Sequence, residues 1–97
     1  VGSVLTGIND INVNNSVSVF PNPMAYAATV SINNHNLSAG ETYTFIMYDM
    51  LGNVVRRIDQ IRDRQFTLER GSLSNGAYFY DMLVGTESLK RGKLVIR

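Results

Sequence analysis

Cysteine is absent from this chain, and so is tryptophan. Without cysteine there is no disulfide framework, thiol nucleophile or zinc-thiolate site. The redox compartment therefore leaves no mark, since a secreted protein need not carry disulfides. No apolar run approaches the roughly 18 residues that span a bilayer. Val1-Gly2-Ser3-Val4 has neither the basic start nor the long apolar stretch of a signal peptide. Export information, if the chain is exported, is expected elsewhere in a longer parent or at the other end. Lysine and arginine are missing from residues 1–55, which carry only Asp10, Glu41 and Asp49, a net charge of −3. All nine basic residues fall in 56–97 beside five acidic ones, a net charge of +4 there and +1 overall. A basic half invites nucleic acid. Here Asp59, Asp63, Glu69, Asp81 and Glu87 are interspersed among the basic residues and no stacking aromatics interleave with them, so the reading is a solvated, mixed-charge strand surface.

What remains is ordinary globular material, 44% hydrophobic and 18% charged over 97 residues. That is one domain, able to bury roughly 60–65% of its unfolded surface. Residues 1–16, VGSVLTGINDINVNNS, have the composition of a flexible linker, with a short edge strand expected near Ile11 and Val13. Val17-Ser18-Val19-Phe20 then alternates and stops at Pro21-Asn22-Pro23, where neither proline can donate to a ladder. Ala28, Val30 and Ile32 share one face of a second strand.

The pattern is centred on Tyr48-Asp49-Met50-Leu51-Gly52-Asn53-Val54-Val55, the tip of a β-hairpin. Asp49 suits the first position of a type I turn, where its carboxylate caps backbone N–H groups. Gly52 suits the fourth, where φ is often positive. In the strand before it, Tyr43, Phe45 and Met47 are assigned to the core, with Ile46 and Tyr48 on a partly covered outer face.

Val55, Ile58, Ile61 and Arg62 fit a helical spacing, but Gln65-Phe66-Thr67-Leu68-Glu69-Arg70 alternates, with Phe66 and Leu68 inward. The expectation is two strands joined by a turn around Asp59 to Asp63. After the Gly/Ser/Asn punctuation of residues 70–76, Ala77 to Val84 is the most β-prone run, with Tyr78, Tyr80 and Met82 on one face. Gly85-Thr86 turns the chain into a last strand over Ser88 to Ile96. The sum is all-β: an immunoglobulin-like antiparallel β-sandwich of about seven strands.

Catalytic chemistry finds no foothold. His35, the sole histidine, sits in an Asn-rich loop with no acid or nucleophile nearby in sequence, and is expected to be solvated. Asp10-Ile11-Asn12-Val13-Asn14 opens like a calcium loop, but Asn15 replaces the turn glycine and Pro21 stands where the bidentate glutamate belongs. Asn14-Asn15-Ser16 and Asn36-Leu37-Ser38 are formal glycosylation sequons. Tyr78-Phe79-Tyr80 is either a sugar-stacking platform or sheet packing, and packing is the preferred reading. The expectation is no enzyme, no cofactor and no metal.

Four stretches in order carry a family resemblance: Val19-Phe20-Pro21-Asn22-Pro23, Tyr48 to Val55, Leu73-Ser74-Asn75-Gly76-Ala77-Tyr78-Phe79-Tyr80, and Gly92-Lys93-Leu94-Val95-Ile96. In this order and spacing residues 17–97 resemble the type A C-terminal sorting domain of the type IX secretion system. Asn53 departs from the Arg or Lys often found after the turn glycine, and Arg97 is a second departure. The resemblance implies a signal domain fused behind a larger cargo of a Gram-negative bacterium. That cargo would pass through the periplasm and then, with outer-membrane shuttle and sortase proteins, reach the cell surface or medium, the domain usually being cleaved off in the linker.

It also implies recognition through Gly92, Lys93, Leu94, Val95 and Ile96, a strand whose open edge would offer backbone groups to a partner. Leu94 and Ile96 are expected to fill the core as well, with Lys93 on the opposite face. Pro21, Asn22, Pro23, Asp49, Gly52, Gly76 and Tyr78 are expected to determine the fold. The alternative is a non-catalytic accessory module that binds carbohydrate or spaces domains in an extracellular enzyme.

Overall fold

Runs of β-branched and aromatic residues separated by Gly, Pro and Asn become seven strands in the computed structural model, which describes residues 16–33 and 35–97. The expected edge strand near Ile11 and Val13, the calcium-like Asp10–Asn14, the first sequon and all of the linker but Ser16 lie outside the described residues. Ser16 itself is buried, and its carbonyl accepts from the Asn33 N–H at 2.6 Å.

The strands are β1 Val17–Phe20, β2 Ala27–Ile32, β3 Tyr43–Tyr48, β4 Val54–Ile61, β5 Gln65–Glu69, β6 Gly76–Val84 and β7 Glu87–Ile96. They form two antiparallel sheets, ordered β1-β2-β5 and β4-β3-β6-β7. No helix interrupts them among the described residues. The sheets pack face to face in the immunoglobulin-like arrangement. Phe45 of β3 meets Phe66 of β5 edge-on at 5.7 Å across the interface and stacks on Tyr80 of β6 at 5.7 Å within its own sheet. Val30, Phe45, Met47, Met82 and Leu94 are fully buried between the sheets. Each such side chain contributes about 1.5–3 kcal/mol of burial.

The period of two places Tyr43, Phe45 and Met47 inward as expected, and on the reverse side Ile46 is buried too, between Arg57 and Asp81 in its cross-strand row. One boundary differs. The expected turn at Asp59 to Asp63 lies within and beyond β4, which continues to the buried Ile61; the chain reverses over residues 62–64. The cause is a bulge. Phe45 pairs with Ile58 but Tyr43 with Ile61, so one extra residue sits on β4, where Gln60 has φ 56°.

Two cationic side chains close the seams between the sheets. Arg56 donates to the carbonyls of Glu69 (2.8 Å) and Arg70 (3.2 Å), joining β4 to the end of β5. Lys90 donates through Nζ to the Val17 carbonyl at 2.8 Å, joining β7 to β1. Burial lowers the pKa of Lys90 from its ordinary value.

Candidate recognition site

The last strand is held on both of its sides. Against β6, Tyr78 pairs with Leu94, Phe79 with Lys93 and Tyr80 with Gly92. Gly92 is required by packing. A Cβ there would come within 2.5 Å of Cζ and Oη of the Tyr80 ring, which is buried and stacked on Phe45. Burial raises the Tyr80 pKa. Leu94 and Ile96 point into the core, Lys93 is exposed on the opposite face and Val95 is half-buried.

The outer edge of this strand is not open where an open edge was expected. The Asn22 side chain donates to the Lys93 carbonyl at 2.8 Å and accepts from the Val95 N–H at 3.0 Å. Immediately beyond, the Met24 N–H donates to the Val95 carbonyl and the Arg97 N–H donates to the Met24 carbonyl, both at 2.9 Å. Asn22 and Met24 thus act as a short parallel strand laid on β7, with Met24 buried and Pro21 and Pro23 exposed on either side of Asn22. The backbone from Lys93 to Arg97 is already paired, so its exposed features are side chains rather than ladder groups. Arg70 adds a further tie, donating to the Leu73 carbonyl at 2.9 Å, to the Ala25 and Arg97 carbonyls at 3.4 Å and to the Asn75 side chain.

The hairpin tip follows its sequence chemistry. The Gly52 N–H donates to the Asp49 carbonyl at 3.0 Å, and Asp49 Oδ1 accepts from the Leu51 and Asn53 N–H groups at 2.9 Å each. Gly52 has φ 89°. These bonds, the Asn53 backbone N–H foremost, hold the Asp49 carboxyl below the usual carboxylate range. Gly76 opens β6 and the buried Tyr78 hydroxyl donates to the Ser74 carbonyl at 2.6 Å.

Between the tip and the last strand, on the outer face of the four-stranded sheet, lies a groove of about 760 Å³. Tyr48, Met50, Leu51, Phe79, Arg91 and Lys93 line it. Phe79 is 44% exposed and Leu51 87%. Residue types alone did not single out Met50, Leu51 or Arg91 and raised Phe79 only within the Tyr78-Phe79-Tyr80 run; the period of two in β6 and β7, which sends Phe79 and Lys93 to one face, was the available signal.

The other sequence candidates find structural roles. His35 is half-buried rather than solvated, its Nδ1 3.0 Å from the Tyr43 hydroxyl. Tyr78 and Tyr80 are both buried, so Tyr78-Phe79-Tyr80 presents a single ring to solvent and no platform. Among the described residues no group of His, Asp or Glu is placed to hold a metal ion.

No curated protein matches the chain. The family of secretion system C-terminal sorting domains matches residues 18–97, which hold all but the first residue of the seven strands, the Asn22 clamp, the hairpin tip and the last strand. By that match the chain belongs to the C-terminal sorting domains of the type IX secretion system.

Proposed function

We propose that this domain carries an N-terminally fused cargo through the periplasm and across the outer membrane, and that shuttle and sortase proteins of the type IX system read it through the outward side chains of β7. The family match over residues 18–97 carries this reading. In this scheme Lys93 and Val95 are the contacts, while Gly92, Leu94 and Ile96 set the strand against Tyr80 and the core. The domain's role is non-catalytic, and cleavage in the linker of residues 1–16 frees or transfers the cargo at the surface.

The test is a folded reporter placed between a signal peptide and residues 1–97, expressed in a cell with a type IX system. The expected outcome is reporter on the surface or in the medium. Lys93→Ala with Val95→Ser leaves the inward residues intact and is expected to hold the reporter in the periplasm without lowering the melting temperature. Intact fusion recovered only from the periplasm overturns the reading.

A further inference from the structure

The groove between the hairpin tip and the last strand is an apolar strip ending in free positive charge. Tyr48, Phe79 and Lys93 form one cross-strand row, each directly opposite the next. At the Tyr48 end, Met50 and Leu51 are exposed on the tip. The two acids that line the groove are committed elsewhere. Asp49 caps its own turn through Leu51 and Asn53. Asp81 is buried and accepts from the Ser88 hydroxyl and from Arg91 Nε. The Lys93 ammonium has no partner among the described residues, and the Arg91 side chain, 80% exposed, is bound there through Nε alone. The groove is therefore cationic at the Lys93 end and apolar over Met50 and Leu51 at the other, where the Asp49 carboxylate keeps its charge and turns it toward its own N–H groups.

From this we infer that the groove docks a segment of the export machinery in polyproline II conformation that carries an apolar side chain and, three residues away, a carboxylate. The spacing follows from the row. Two inter-strand steps separate Tyr48 from Lys93, about 10 Å, a span that a polyproline II segment covers in three residues while returning its side chain to the same side. The apolar side chain lies over Tyr48, Leu51 and Phe79, and the carboxylate meets Lys93, with Arg91 beside it. The inference rests on the sorting reading for the identity of the partner, and on the groove for its chemistry. It makes the hairpin tip, 41 positions before Lys93 in the chain at Gly52, part of the same recognition surface as the last strand.

The probe is an acetylated, amidated peptide Phe-Ser-Ser-Glu, titrated at low salt into the 97-residue chain and followed by amide chemical shifts. Phe-Ser-Ser-Lys is the control. The acidic peptide is expected to move Leu51, Phe79 and Lys93, to bind about tenfold more tightly than the basic one, and to weaken with added salt. Leu51→Ser and Lys93→Gln, both at exposed positions, are each expected to weaken it severalfold while leaving the melting temperature unchanged. Equal binding of the two peptides, shifts centred away from the groove, or shifts that track self-association of the domain overturn the inference. In the export assay, Met50→Ser with Leu51→Ser is expected to reduce delivery of the reporter. If the wild-type fusion is delivered and this variant is delivered equally, the groove inference falls and the sorting reading stands. If the wild-type fusion is not delivered, the sorting reading falls, and the titration alone decides the chemistry of the groove.

Discussion

The four-stranded sheet has two edges, β4 and β7, and they are protected in opposite ways. β4 makes itself a poor template. It carries two bulges against β3, a left-handed Gln60, and an exposed Arg57–Asp59 pair at 3.1 Å. Bulges and charges of this kind prevent another strand from adding in register. β7 keeps a regular ladder from Gly76↔Ile96 to Met82↔Lys90 and is covered from outside by Asn22 and Met24. One edge is protected by irregularity, the other by a cover. The regular, covered edge belongs to the strand that carries the proposed signal, so its geometry is held fixed and its outward side chains are presented in a constant register.

The largest effect that would break this comparison is expected at Gly92. Gly92→Ala drives a methyl into the Tyr80 ring and is expected to cost about 1–3 kcal/mol, the range for overpacking a core. Tyr80→Leu in the same chain should recover part of it. Urea midpoints of the four chains of that cycle measure the coupling, and additive effects would reject the close packing of Tyr80 on β7.

Next comes Asn22→Ala, which removes two hydrogen bonds worth about 0.5–1.5 kcal/mol each. The Val95 amide is expected to exchange faster with solvent while amides of β4 keep their protection. Unchanged exchange at Val95 would show that the cover is not what shields the edge. On the other side, Gln60→Val forces a β-branched residue to keep φ 56° and is expected to cost about 1 kcal/mol in denaturant melts. No loss would mean that the bulge relaxes and β4 is less irregular than described.

Acid separates the edges by smaller amounts. The Asp49 carboxyl, with its folded pKa depressed, stabilises the β3–β4 tip above its unfolded value of about 4, and that contribution is lost as pH falls through the folded value. The Asn22 clamp is an amide and does not titrate. Protection of amides, taken relative to the intrinsic exchange rate at each pH, is therefore expected to fall first at Leu51 and Asn53 between neutral and strongly acidic pH, and Asp49→Asn is expected to flatten that fall. Equal loosening at Val95 would contradict it.

How much of this was readable from residues depends on the range of the contact. Tyr43, Phe45 and Met47, like Tyr78, Tyr80 and Met82, announce their face by strict alternation, and Asp49 and Gly52 announce a turn through bonds within four residues. β4 was misread at its far end because a bulge resets the period. Ile58 and Ile61 both pair with inward residues of β3, and the extra residue leaves them three apart, which imitates a helix. Pro21-Asn22-Pro23 could be recognised as a chain break, but nothing local says that Asn22 binds the Lys93 carbonyl, 71 positions away. The groove was hidden for the same reason, since its two walls meet only in the folded sheet.

That separation bears on the order of events during synthesis. Asn22 and Met24 emerge with the first strand, yet the partners of Asn22 at Lys93 and Val95 are made 71 and 73 positions later, and Arg97, which bonds Met24, follows them. Closing so long a loop is slow and cannot begin until those residues leave the ribosome. A nascent domain therefore has an unfinished edge until translation of this segment is complete. The finished edge then reports, by its own formation, that everything upstream has already been made.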